Sequence, residues 1–217
     1  MKIKVLTFSN MPDHPGLRAL ELSLIKHGWD YSIITGSWQG FGTKPQSVYN
    51  SLKDLEEHGY THVLFTDAHD TVFLQSPDAL KRQVFEPGFA YISAEKACWP
   101  DAGRATEYGY HTPPPSPWCY VNSGQYLMPI PMFREIFEFM PCEDREDDQR
   151  WLTTAYLSHR WKMILDINCK IFQSIAFPAM GDFMIKDGKL LNTITRTQPI
   201  AAHGNGKTPL EWLYNLK

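Results

Sequence analysis

His62-Val63-Leu64-Phe65-Thr66-Asp67-Ala68-His69-Asp70 is an apolar run that stops on two carboxylates three residues apart. Its first five residues follow Gly59 and end at an acid, the pattern of a short buried strand. Toward the N-terminus, Ser47–His58 carries Val48, Leu52 and Leu55 at helical spacing and closes at Gly59. Before it, Tyr31–Thr35 reads as a strand closed by Gly36. Pro15–His27 reads as a helix with Leu17, Leu20 and Leu24 on one side, and Lys2–Phe8 as the opening strand. Strand–helix–strand–helix–strand predicts an α/β protein with a mostly parallel central sheet flanked by helices.

Toward the C-terminus the grammar is mixed. Strands are predicted over Phe89–Ser93, Tyr120–Met128, Ile171–Ile175 and Pro199–His203, and helices over Pro131–Met140, Asp147–His159 and Pro209–Leu216. Phe183–Ile185 and Leu190–Thr193 read as a hairpin turning across Lys186-Asp187-Gly188-Lys189. Between Glu95 and Trp118 lies a long segment with the proline-rich stretch His111–Pro117, long enough to suggest a functional loop. With no compositional break and no internal repeat, residues 1–217 are expected to form a single domain.

Composition narrows the function. Hydrophobic residues at 43% and charged residues at 21% exclude a disordered chain. No uninterrupted apolar stretch is long enough to span a bilayer, so no membrane partner is expected. A formal charge of −3 excludes affinity built on a strongly basic surface. The four cysteines, Cys98, Cys119, Cys142 and Cys169, form no CxxC pair and fit reduced thiols. The opening residues lack the apolar core of a signal peptide, and a cytoplasmic protein is expected.

Asp67 and Asp70 leave the third strand at its carboxyl end, where ligands gather in open α/β sheets. Two hard oxygen donors there could hold Mg²⁺ or Mn²⁺ and, through it, a diphosphate; equally, Asp67 could cap a turn and Asp70 face water. His203, in Ala202-His203-Gly204-Asn205-Gly206, again ends an apolar strand and opens onto a glycine-flanked turn. It reads as a third, nitrogen ligand suited to Mn²⁺ or as a satisfied structural histidine. His69 is a further candidate ligand, disfavoured because neighbouring residues point apart. Glu95, Trp99 and Asn122 end predicted strands, where sugar hydroxyls could be met or where they could be surface or core groups. Asp147 and Asp148 open a helix: such acids either offset its dipole or accept a proton from a hydroxyl. Trp38, in a glycine-rich loop, could stack on a base or anchor the loop.

Taken together and in order, Trp38-x-Gly40, Phe65-Thr66-Asp67-x-x-Asp70, Ser93-Ala94-Glu95-x-x-Cys98-Trp99-Pro100, Asn122-Ser123-Gly124, Asp147-Asp148-Gln149, Leu165-Asp166-x-Asn168-x-x-Ile171-Phe172-Gln173 and His203-Gly204-Asn205-Gly206 make a recognisable series. The chain resembles the glycosyltransferase domain of the procollagen lysyl hydroxylase and procollagen galactosyltransferase group over essentially its whole length. The resemblance implies a GT-A, Rossmann-like fold and a metal-dependent transferase moving a hexose from a UDP-sugar, UDP-glucose or UDP-galactose, to an acceptor hydroxyl of a hydroxylysine-type protein or a glycan. It implies Mn²⁺, or Mg²⁺, on Asp67, Asp70 and His203, and cofactor contacts from Trp38, Thr66, Asp67, Asn122, Gly204, Asn205 and Gly206. Asp148, Asp147 and Glu95 would be catalytic, and Trp99 and Asn205 would shape the sugar and acceptor pocket. This chain departs from the pattern with His69 where an aromatic is usual, with Gln125-Tyr126-Leu127 after Asn-Ser-Gly, and in its proline-rich stretch.

Two other outcomes stay open. The acceptor could be a hydroxymethylated base in DNA, as for some viral glycosyltransferases, if Arg150, His159, Arg160, Lys162 and Lys170 form a basic face. Alternatively, the domain binds sugar nucleotide without turnover. A free-standing enzyme of microbial or viral type, the latter in host cytoplasm, is the expected setting.

Overall fold

The computed structural model describes residues 1–217 apart from 83–85, 87, 111–113, 215 and 217. In chain order the strands are β1 (Ile3–Ser9), β2 (Tyr31–Thr35), β3 (His62–Thr66), β4 (Thr71–Phe73), β5 (Ala90–Glu95), β6 (Tyr120–Pro129), β7 (Met163–Leu165), β8 (Phe172–Ser174), β9 (Phe183–Lys186), β10 (Lys189–Asn192) and β11 (Ala201–His203). The α-helices are α1 (Pro15–His27), α2 (Thr43–Glu57), α3 (Asp78–Arg82), α4 (Ile130–Phe139) and α5 (Asp148–Leu157).

Six strands form the central sheet in the order β2-β1-β3-β6-β5-β7. All run parallel except β6, which is antiparallel to both its neighbours. Successive strand side chains face opposite sides. Accordingly, Leu6, Val63, Phe65, Ile92 and Met128 pack beneath α2, α4 and α5, while Val5, Leu64, Tyr91 and Leu127 pack against α1 and α3. The expected α/β architecture with helices on both faces is what forms.

A second, three-stranded sheet, β4-β11-β8, lies on the α1 side and positions the site. β11 is antiparallel to β4 and parallel to β8, so Thr71, His203 and Ser174 are level at one end. β4, β7 and α3 have no counterpart among the expected elements, because each is too short to show a period. The expected α2 begins four residues late, because Pro45 interrupts the pattern, yet proline is tolerated in a first helical turn. The expected terminal helix over Pro209–Leu216 is reduced to a 3-10 turn, Glu211–Leu213, with residue 215 outside the described residues. The long segment after Glu95 contains a 3-10 helix, Ala102–Tyr108, and of the proline-rich stretch residues 111–113 lie outside the described residues.

Asn122-Ser123-Gly124 lies inside β6. There the pairing with β5 jumps from Ile92–Tyr126 to Ser93–Asn122, so Ser123, Gly124 and Gln125 bulge away from β5. Bulges of this kind redirect side chains next to functional sites.

Candidate active site

Asp67 follows β3, Asp70 precedes β4 and His203 ends β11. One ligand atom from each lies within 4.8 Å of the others. His203 Nε2 is 3.5 Å from Asp67 Oδ2 and 3.4 Å from Asp70 Oδ2, and the imidazole is buried. Backbone bonds set the frame, with the Gly204 amide donating to the Asp70 carbonyl at 2.7 Å and the Asp67 amide to the Gly124 carbonyl at 2.8 Å. Gly124 is required by this packing: a Cβ there would stand 2.1 Å from His203 Cε1.

The tautomer of His203 follows from its neighbours. Asn122 Nδ2 donates to Glu95 Oε1 at 3.1 Å, which turns Asn122 Oδ1 to His203 Nδ1 at 3.0 Å. Nδ1 therefore carries hydrogen, and in the neutral ring Nε2 presents a lone pair to two carboxylates. Such a set of lone pairs fits a cation between them, and imidazole with two carboxylates suits Mn²⁺. Burial opposes the imidazolium, but the Asp70 and Asp67 carboxylates outweigh it and raise the basicity of His203. In Asp70, burial works toward the neutral acid and is overcome by His203, which pulls its carboxyl below the usual range.

Lys44 completes the junction. From the first turn of α2, its Nζ lies 2.9 Å from Asp67 Oδ1 and 2.8 Å from Asp148 Oδ2. Burial disfavours its charge, yet Asp148 and Asp67 more than compensate and hold it firmly protonated. The contact depends on the close approach of the 40–42 loop to the 143–144 loop, where a Cβ on Gly42 would stand 2.0 Å from the Glu143 carbonyl oxygen. Lys44 was not singled out in the sequence, since a lysine beside a proline carries no local mark of burial.

Two clefts meet at Lys44, Asp67 and Asp70. The wider, about 620 Å³, is bordered by Phe8, His14, Trp38, His69, Lys207 and Tyr214. Trp38 is 41% exposed and stands edge-on to Phe41, with ring centres 5.4 Å apart. His69 does not join the acidic cluster. It stacks on His14 at 4.2 Å and meets Ser9 Oγ through Nε2 at 2.8 Å.

The second cleft, about 400 Å³, is lined by Glu95, Trp99, Asn122, Asp147, Asp148 and Asn205, among others. Its wall is a closed hydrogen-bond network. Glu95 Oε1 accepts from Gln149 Nε2 at 2.6 Å and from Asn122, and Glu95 Oε2 accepts from Asn205 Nδ2 at 2.8 Å. Burial raises the Glu95 carboxyl above its ordinary value, against the pull of these donors. Gln149 Nε2 also donates to the Trp99 carbonyl at 2.9 Å, which makes it a structural partner of the pocket. Asn205 Oδ1 accepts from the Ala176 amide at 3.0 Å.

The remaining expected residues divide. Gly206 and the 64% exposed ring of Trp99 line the second cleft. Asp147 lines it too, while its Oδ1 caps α5 by accepting from the Arg150 amide at 2.9 Å. Thr66 is fully buried, 3.4 Å from Gln125 Nε2, and borders neither cleft. Gly204 likewise borders neither and serves through its backbone bond to Asp70. Phe41 and Phe177 enter the second cleft without having been anticipated.

The residues of the expected basic face, Arg150, His159, Arg160, Lys162 and Lys170, each have neighbours of their own. Arg150 is paired with Asp101 at 2.6 Å, and Arg160 lies over the Phe139 ring at 3.8 Å. Lys162 lies over Phe89, His159 lies beside Tyr156, and Lys170 borders a different cavity.

Comparison with solved structures places the architecture. A glycosyltransferase involved in glycosylation of the major capsid of PBCV-1 superposes over 95% of this chain and 94% of its own, with a TM-score of 0.59 and 10% identity. The fold is therefore the Rossmann-like GT-A fold expected from the sequence. Residues 25–216 match the PLOD GT domain, and the chain belongs to that family. A multifunctional procollagen lysine hydroxylase and glycosyltransferase of Caenorhabditis elegans is 30% identical over 82% of this chain and 26% of its own length. The Rattus norvegicus multifunctional procollagen lysine hydroxylase and glycosyltransferase LH3 is 29% identical over 91% of this chain and 27% of its own. The chain thus spans about a quarter of the length of these relatives.

Proposed function

We propose that this glycosyltransferase moves a hexose from a UDP-sugar to an acceptor hydroxyl, with Mn²⁺ or Mg²⁺ held by Asp67, Asp70 and His203. The observation that carries the reading is the convergence of these three side chains, with an imidazole lone pair aimed at two carboxylates where two clefts meet. A bound divalent ion would supply positive charge for the diphosphate leaving group.

The chain's own residues do the rest. Trp38 offers a ring face to a base in the wider cleft. In the second cleft Glu95, Asn122 and Asn205 present fixed polar groups to sugar hydroxyls, and exposed Trp99 offers an apolar face to a sugar ring. Asp148, with Oδ2 on Lys44, is placed to orient an acceptor hydroxyl, and Asp147 flanks it at the helix start. The relatives' names, which join procollagen lysine hydroxylase to glycosyltransferase, favour a hydroxyl on protein as acceptor. The four unpaired cysteines, three of them buried, support a reducing, cytoplasmic setting. Among the described residues no helix is long and apolar enough to cross a membrane.

Release of UDP from UDP-glucose and UDP-galactose, assayed with and without Mn²⁺ against hydroxylysine peptides and hydroxymethylated DNA, tests the reading. Turnover should require the metal and fall about 10³-fold in Asp70→Ala, the loss of several kcal/mol of charge stabilisation. Metal-independent turnover, or UDP binding with no turnover on any acceptor, would refute it.

A further inference from the structure

At the opposite end of the β4-β11-β8 sheet from Asp70 and His203 lies a third cavity, of about 550 Å³. Gln75, just past β4, Gln198, just before β11, and Lys170, just before β8, form part of its wall. Strands of three residues separate it from the acidic junction by about 10 Å of sheet. It is a separate place in the fold, sharing no lining residue with either cleft.

Five cationic side chains border it: Arg82, Lys170, Lys186, Lys189 and Arg196, against the single acid Asp187. All five are exposed. The lysines and arginines that find a carboxylate within 4.0 Å among the described residues all lie elsewhere. Lys170 senses the buried Asp166, whose own oxygens accept the amides of residues 170–172.

The backbone holds this charge together against its own repulsion. Lys186 and Lys189 are direct cross-strand partners, joined by Asp187 and Gly188 with φ of 53° and 75°, the left-handed pair of a tight hairpin turn. Like charges placed directly opposite destabilise a hairpin. Arg196 sits in the left-handed region at φ 58°, a conformation that non-glycine residues adopt mainly where surrounding structure imposes it. An anion in the cavity would relieve the crowding of cations.

We propose that this cavity binds an anion carrying two or more linked phosphate groups, free or on a nucleotide. Guanidinium forks match phosphate oxygens, the ammonium groups add point charge, and Thr197 and Gln198 add polar side chains to the lining. An open basin of this size suits a compact ligand. The chain's net charge of −3 denies it the broad positive field on which duplex binding relies.

Calorimetry of the full chain in metal-free buffer with chelator, using inorganic tripolyphosphate and, separately, UTP, tests the proposal without calling on the transferase reaction. Tripolyphosphate should bind one per chain. Its affinity should fall about tenfold or more in Lys186→Gln/Lys189→Gln/Arg196→Gln, and by a smaller factor in Lys170→Gln on a different element. Asp70→Ala should retain it. UTP binding no tighter than tripolyphosphate assigns recognition to the phosphates, and tighter binding lost in the same variants assigns it to a nucleotide; either supports the site. The proposal is overturned by absence of binding, by equal affinity in the folded triple variant and in Lys170→Gln, or by duplex DNA outcompeting tripolyphosphate at these residues.

Discussion

The two clefts that meet at Asp67 and Asp70 are built on different principles. The narrower has one wall of buried, mutually bonded side chains, in which Glu95 accepts from Asn122, Gln149 and Asn205 and Asn122 in turn fixes His203, and it is also lined by the exposed rings of Phe41, Trp99 and Phe177. The wider is bordered by aromatic rings and by the 207–214 segment, with Trp38 set against the rings of Phe41 and Phe8. A reacting centre needs atoms held to fractions of an ångström, and a wall of satisfied hydrogen bonds provides that. A base needs only a flat apolar face, which tolerates adjustment.

This contrast can be broken by substitution. Gly124→Ala should have the largest effect, because its methyl would stand 2.1 Å from His203 Cε1 and force the ring aside: metal affinity, read by titration with Mn²⁺, and turnover should both fall about 10³-fold. Lys44→Met leaves Asp67 and Asp148 facing one another without their shared cation. Denaturant unfolding should show a loss of about 3 kcal/mol. Asn122→Ala frees the His203 ring, and metal affinity should fall about 10–100-fold with the fold intact by circular dichroism. The smallest change is expected across the junction. Trp38→Ala should weaken UDP about tenfold by calorimetry while leaving kcat nearly unchanged, as loss of one stacking face implies. A large kcat loss in Trp38→Ala, or a pure KM effect in Asn122→Ala, would erase the distinction between a rigid and an adaptable cleft.

The sequence was most readable where order is local. β1, α1, β2 and β3 follow from alternation and helical spacing, and the Asp-Gly hairpin from its turn residues. The acids of the site were legible as strand-end carboxylates. Harder to see were features that exist only between distant segments. Asn122-Ser123-Gly124 falls within the expected strand Tyr120–Met128, yet its bulge exists only because β3 and β5 pair with different stretches of β6. Thr66 belongs to a matching motif but points into the core, since strand side chains alternate and Asp67 takes the open side.

By itself, then, the order of residues determined an alternating α/β sheet and which acids and histidine stand at strand ends, because hydrophobic period and glycine punctuation act over a few residues. Only the tertiary structure decided that Lys44 lies between Asp67 and Asp148, that Asn122 sets the tautomer of His203, and that five cations with no carboxylate within 4.0 Å among the described residues gather behind the small sheet. Those are contacts between segments tens of residues apart. Their geometry is set by how sheets and loops pack, and no local pattern encodes it.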